Sequence, residues 1–178
     1  MSDADLKVIA SSTSFRDWSR RSANGLGFMV CALGLGYAYF VQVGQGVEPC
    51  PLCIFQRLAL LAVGLLFLLA ALHNPQDWGA KVYGVLINLA ATVGLLIAGR
   101  HVWIQNLPPE EAPRCGPGLD YMLQNFPLGE ALREVLTGSG ECAKVDWTLL
   151  GLSMPVWNIL LFFGLGTFGL MANWRLRR

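Results

Sequence analysis

The stretch Glu48-Pro49-Cys50-Pro51-Leu52-Cys53-Ile54-Phe55-Gln56-Arg57 sets two cysteines three apart between prolines. It opens an apolar run directly after them and places an arginine four positions past the second cysteine. Each part has a physical consequence. Cys50 precedes a proline, which biases it away from helical dihedrals, and Pro51 suits the first helical position, where a missing N–H costs nothing. The pattern predicts a helix starting at Pro51, with Cys50 as its N-cap and Cys53 in its first turn. A Cys-x-x-Cys pair by itself fits either half a zinc site or a redox pair, so its surroundings must decide.

Those surroundings are a membrane. The 178 residues are 54% hydrophobic and only 14% charged, with a mean hydropathy of +0.47, well away from a soluble domain, where about a quarter of residues are charged. The length suits one domain. Net charge is +1 and there is no basic stripe, which argues against nucleic-acid binding. A bilayer core needs roughly 20 apolar residues as helix, and residues 25–43, 54–72, 82–103 and 155–172 each meet that requirement. The expected fold is an all-α membrane protein, a four-helix transmembrane bundle with a long loop, residues 105–154, between the third and fourth helices. Arg57, Arg100 and His101 then fall near one membrane face.

Lys7, Arg16, Arg20, Arg21, Lys81, Arg175, Arg177 and Arg178 lie on one side of these spans. The other side has Arg114, Arg133 and Lys144 against seven acidic residues. The bias of Lys and Arg toward the cytoplasm puts both termini, residues 1–22 and 173–178, inside and the cysteine-bearing loops outside. The first span is read as an uncleaved anchor. Gly25, Gly27, Gly34 and Gly36 in the first span, and Ala90, Gly94 and Ala98 in the third, offer small-residue surfaces for close helix approach. Within the long loop, Leu128, Ala131, Leu132, Val135 and Leu136 recur at helical spacing and predict a short amphipathic helix. Trp147 and Trp157 read as interfacial anchors, His73 as an interfacial residue without a chemical role, and Cys31 as a small buried residue of the first span.

The other four cysteines, Cys50, Cys53, Cys115 and Cys142, are all expected on the outer side, where disulfides form. Cys115 with Cys142 would serve as an ordinary staple or as a working pair. Cys50 with Cys53 would be a poor staple, because closing so short a loop removes little unfolded-chain entropy. The spacing lacks the second Cys-x-x-Cys of a zinc knuckle, and Ile54 stands where covalent haem attachment needs histidine, so no metal is expected. A helix N-terminus favours thiolate at both Cys50 and Cys53. Arg57 projects from the same helix face as Cys53 and adds positive charge.

Taken together, Cys50-Pro51-Leu52-Cys53 with Gln56-Arg57, and Cys142 followed by Asp146-Trp147, Gly151-Leu152 and Met154-Pro155-Val156-Trp157, resemble the DsbB family of bacterial inner-membrane disulfide bond formation proteins. The likeness covers most of the chain, from the first span to the fourth. It implies a monomeric enzyme of the bacterial inner membrane that reoxidises a periplasmic DsbA-type thiol oxidase and passes the electrons to ubiquinone or menaquinone. On that pattern Cys115 forms the mixed disulfide with the partner and Cys142 is its mate. Cys50 reoxidises the loop pair by exchange, Cys53 contacts the quinone, and Arg57 and His101 lie beside the quinone. A strong terminal oxidant is needed. In this class of periplasmic system the DsbA-type oxidant sits at roughly −120 mV, so a secretory thiol buffer at about −180 to −210 mV would reoxidise it uphill by roughly 3 to 4 kcal/mol.

Two other readings compete. A relative of vitamin K epoxide reductase would carry its membrane-side Cys-x-x-Cys late, after the loop cysteines, whereas here the pair opens the second span. A non-catalytic membrane subunit with a structural loop disulfide would leave Cys50 and Cys53 without a task.

Overall fold

The computed structural model describes residues 19–46, 49–108, 140–143 and 147–176, together with positions 110, 127 and 129. Helix α1 spans Arg20–Gln45, α2 Pro51–His73, α3 Asp77–Gln105 and α4 Met154–Arg175. All four are long and apolar enough to cross a membrane, and each contains one of the four expected stretches and extends beyond it at both ends. Leu33 and Leu96 are 68% and 66% exposed, a display of bare aliphatic surface that lipid tolerates and water penalises.

The ends follow from local chemistry. Ser19 caps α1, its side chain accepting from the Ser22 N–H, so helix begins inside the segment expected to be a tail; α4 likewise runs on to Arg175. Gly46 ends α1 at φ 65°, a left-handed conformation that glycine adopts without a Cβ penalty. At the head of α2, Pro51 takes the first position and Cys50 caps with its sulfur, which accepts from the Cys53 N–H at 3.3 Å. The same end of α2 therefore carries both the cap and the chemistry. A two-residue hairpin, β1 (Thr148–Leu149) and β2 (Leu152–Ser153), leads into α4. Its turn residues Leu150 and Gly151 both have positive φ, the geometry that suits the twist of a tight hairpin.

Packing is closest between α3 and α4, then α1 with α2 and α2 with α3. Ala80, Gly84, Ile87, Ala91, Gly94, Ala98 and His101 form the buried row of α3; their alternating spacing of four and three is that of a coiled-coil seam. The ridge thus runs through Ala91 where Ala90 was expected. A Cβ on Gly94 would lie 2.4 Å from the Phe162 ring, and one on Gly169 would lie 2.5 Å from Ile87, so the α3–α4 approach depends on hydrogen at both positions. On α1, Gly27 meets Phe67 and Gly34 meets Leu60, whereas a Cβ on Gly25 or Gly36 would touch nothing. Cys31 lies in the apolar core with Val63, Phe67, Ile87 and Phe162.

One end of the bundle is tied by Arg20, which donates to the Pro75 carbonyl at 2.6 Å and to the Leu176 carbonyl at 2.7 Å. Just inside it, Asn24 and Asn173, both fully buried, exchange reciprocal amide hydrogen bonds of 3.1 and 3.0 Å. His73, at this end, is exposed and hydrogen-bonds the Tyr83 hydroxyl at 2.6 Å. The opposite end holds Cys50, Cys53 and Cys142. Of the amphipathic helix expected at residues 128–136 only position 129 is described, and Cys115 lies outside the described residues.

Candidate redox centre

The start of α2, the end of α3 and the short 3-10 turn Gly140–Ala143 converge at one end of the bundle. Cys50, Leu52, Ile104 and Cys142 form a small buried cluster there, with Cys53 and Phe55 packed against it. Cys50 Sγ donates to Cys53 Sγ across 2.9 Å. His101 Nε2 lies 3.8 Å from Cys50 Sγ, and the Sγ atoms of Cys50 and Cys142 and a ring nitrogen of His101 all fall within 4.8 Å of one another. Of the cysteines predicted to act, Cys50, Cys53 and Cys142 are thus brought together. Three donors this close would also fit a metal ion; Cys53, in contact with Cys50, adds what a redox relay requires and a three-ligand metal site does not.

Cys50, at the cap just outside the span, is pushed above the ordinary thiol range by its hydrogen bonds with Cys142 and with Cys53, and then by burial. With three thiols packed together, ionising a neighbour makes the Cys50 proton harder to lose, and this outweighs the helix terminus that was expected to favour thiolate. Its sulfur nevertheless faces the Cys53 backbone N–H and lies beside a ring nitrogen of His101.

Beside Cys53 opens a cavity of about 290 Å³, near the lower end of the size range usual for small-molecule sites. Tyr37 and Ala38 of α1, Cys53, Gln56 and Arg57 of α2, and Trp157 and Asn158 of α4 help to line it, and the wall is otherwise largely apolar. Trp147 and Trp157, expected as anchors, form part of this wall. Trp147 meets Tyr37 edge-on with ring centroids 6.0 Å apart, and Trp157 donates to the Leu149 carbonyl of the hairpin at 3.2 Å. Arg57 reaches the cavity while donating from Nη1 to Gln42 Oε1 and from Nη2 to the Ala38 carbonyl. Its charge is therefore held at the wall by α1. An apolar slot with one fixed cation suits a flat, apolar ligand with carbonyl oxygens at its edge, which is the chemistry of a quinone ring.

Gln56 and Asn158 were not anticipated as site residues. Gln56 is 2% exposed; its Nε2 meets His101 Nδ1 at 3.0 Å, and its Oε1 accepts from Asn158 Nδ2 at 2.6 Å. The available signal was a polar side chain inside an apolar span, which is costly unless it has a task. His101 is 3% exposed and stands between this amide pair and the cysteines.

A membrane bundle that gathers a Cys-x-x-Cys pair with a third cysteine, one of the pair lining an apolar cavity, has the site of a membrane-embedded thiol–disulfide oxidoreductase. The chain matches the family model "Disulfide bond formation protein DsbB" over residues 20–172. It is 53% identical over 160 residues to Disulfide bond formation protein B of Methylococcus capsulatus, covering 90% of this chain and 98% of that protein. Proteins of the same description from Nitrosococcus oceani (52% over 153 residues, covering 86% and 89%) and Xanthomonas axonopodis pv. citri (49% over 162 residues, covering 90% and 94%) are similarly close. The chain belongs to the DsbB family.

Proposed function

We propose that this chain reoxidises a periplasmic DsbA-type protein and delivers the electron pair to membrane quinone, acting as a monomer in the bacterial inner membrane with its termini cytoplasmic and its cysteines periplasmic. The observation that carries the reading is the position of Cys50, whose sulfur is in contact with Cys53 on one side and within 4.8 Å of the Cys142 sulfur on the other. A sulfur so placed can exchange its disulfide partner without moving the helix that holds it.

Electron flow then has a defined order. A thiolate of the partner attacks Cys115 Sγ in a Cys115–Cys142 disulfide; a mixed disulfide forms and Cys142 leaves as thiolate. Cys142 attacks Cys50 Sγ in the Cys50–Cys53 disulfide, forming Cys50–Cys142 and releasing Cys53 as thiolate at the cavity wall. The partner's second thiol resolves the mixed disulfide, so the partner departs oxidised with two electrons left on this chain. Cys115 then attacks Cys142 Sγ in the Cys50–Cys142 disulfide and releases Cys50, and a quinone seated at Cys53 would supply the oxidising power, taking up two electrons and two protons as Cys50 and Cys53 close their disulfide. Arg57 and the apolar wall would hold the ring against Cys53, and Cys50 stays beside the Cys53 backbone N–H and the His101 ring throughout.

The test removes the outer cysteines of each pair. In Cys53→Ser/Cys115→Ser, mild oxidation should join Cys50 to Cys142 in nearly every chain, read by mass spectrometry of non-reduced peptides. Cys53→Ser alone should lose quinol formation while still being captured by the partner. Normal quinol formation in Cys53→Ser, or no bond between Cys50 and Cys142, would sink the mechanism.

A further inference from the structure

Two amides next to the cysteines, Gln56 buried and Asn158 half-buried, do no work in the electron path above. Asn158 Nδ2 donates to Gln56 Oε1, and this fixes which way the Gln56 amide faces, because its oxygen is turned to α4 and its nitrogen to α3. An amide nitrogen can only donate. Facing His101 at 3.0 Å, it requires Nδ1 to be the acceptor, and a neutral ring with an unprotonated Nδ1 carries its hydrogen on Nε2. Nε2 is the atom 3.8 Å from Cys50 Sγ. With Asn158 Nδ2 placed as the donor, the opposite Gln56 orientation would set nitrogen against nitrogen, so this arrangement of the α4 amide assigns His101 Nδ1 as the acceptor.

We propose that Gln56 and Asn158 are positioning residues that lock His101 as the Nε2–H tautomer, with that hydrogen aimed at the Cys50 sulfur. The proposal rests on the redox reading for its purpose and on the hydrogen-bond chain for its geometry. When Cys142 attacks the Cys50–Cys53 disulfide or leaves it again, charge passes between sulfurs in a site closed to water. A ring in the other tautomer would present a lone pair to that charge, whereas the locked ring presents a donor that needs no reorientation. The location of the amides follows: a histidine next to thiols is commonplace, but the hydrogen's position on the ring is set by what the other nitrogen meets.

The experiment is nitrogen NMR of the full chain in bilayers, with ¹⁵N-labelled histidine. The sequence has two histidines, so His73→Gln assigns the signals and leaves the site intact. The expected wild-type result is His101 with hydrogen on Nε2 and bare Nδ1. In Gln56→Glu, which keeps the shape and the bond from Asn158 but has no N–H, Nδ1 should gain a hydrogen. In Asn158→Leu the Gln56 amide is free to turn and both ring forms should appear.

Kinetically, both variants should lower kcat for thiol oxidation by about tenfold, the loss of one oriented hydrogen bond, with quinone KM changed by less than about threefold. Wild-type hydrogen on Nδ1, or a tautomer indifferent to both substitutions, overturns the proposal. A rise in KM with kcat unchanged would also overturn it, since the amides would then act on the ligand and not through His101. A correctly locked His101 in a chain that reduces no quinone would fail the functional reading and leave the tautomer assignment standing, so the two are separable.

Discussion

Removing the Arg57 head should separate quinone binding from thiol exchange. The guanidinium lines the cavity next to Cys53 and is anchored on α1 through Gln42 and the Ala38 carbonyl. Two of its five N–H donors are thereby committed, and the others remain for a carbonyl oxygen in the cavity. A hydrogen bond from a charged donor contributes about 1.5 to 3 kcal/mol, and at about 1.4 kcal/mol per tenfold this predicts that Arg57→Ala raises quinone KM roughly 10- to 150-fold. Arg57→Lys should fall near the lower end, since a point charge replaces the planar fork and the two anchors on α1 cannot both be kept. Steady-state quinol formation across a range of quinone concentrations measures the effect. Exchange between the cysteines and a reduced DsbA-type substrate in a single turnover without added quinone should change by less than about threefold, because the hydrogen bonds of Arg57 among the described residues go to Gln42 and Ala38 and not to a sulfur. A quinone KM within about twofold of wild type in Arg57→Ala would refute the argument and leave Arg57 as a tie between α1 and α2.

The remaining predictions concern the buried pair at the far end and the nature of the cysteine cluster. Asn24→Ala and Asn173→Ala should each destabilise the bundle by about 1 to 2 kcal/mol in detergent unfolding, and the double variant should cost less than their sum by about 0.6 to 1.7 kcal/mol; strict additivity would mean that the reciprocal hydrogen bonds do not form. Protein purified under oxidising conditions should carry far less than one zinc per chain by elemental analysis, whereas a full equivalent that survives chelation would return Cys50, His101 and Cys142 to a metal reading.

The spans were legible because lipid makes composition decisive: twenty apolar residues in a row have few other uses. The cap at Cys50 was legible because proline restricts both itself and its predecessor. What escaped was partner choice. Ala90 and Ala91 are both small, and only the angle at which α4 crosses decides that Ala91 is buried. Trp147 and Trp157 carry the composition of membrane anchors, yet the hairpin turn at Leu150 and Gly151 brings both against the cavity. Gln56 sits in the quoted motif with no sign that its partners would be His101, 45 positions on, and Asn158, 102 positions on, because side-chain pairing between helices has no periodicity to read.

The two ends of the bundle use their polar residues in opposite ways, and this accounts for where the cavity lies. At the Arg20 end, α1 and α4 are joined by the Asn24–Asn173 pair and by Ala23, Ala172 and Leu176 packed together. Further along, α1 still touches α4 at Gly34, where a Cβ would lie 3.7 Å from Leu161. Beyond that point the same two helices contribute Tyr37, Ala38, Trp157 and Asn158 to the cavity lining. No interlocking amide pair joins α1 to α4 among these residues; Asn158 turns to Gln56 on α2 and Arg57 of α2 turns to α1. Helix α2 thus takes the role that direct α1–α4 pairing has at the other end. A consequence is that the residues which hold the cavity open are neighbours of Cys53 in the first two turns of one helix, so seating a ligand and orienting the sulfurs depend on the same rigid segment.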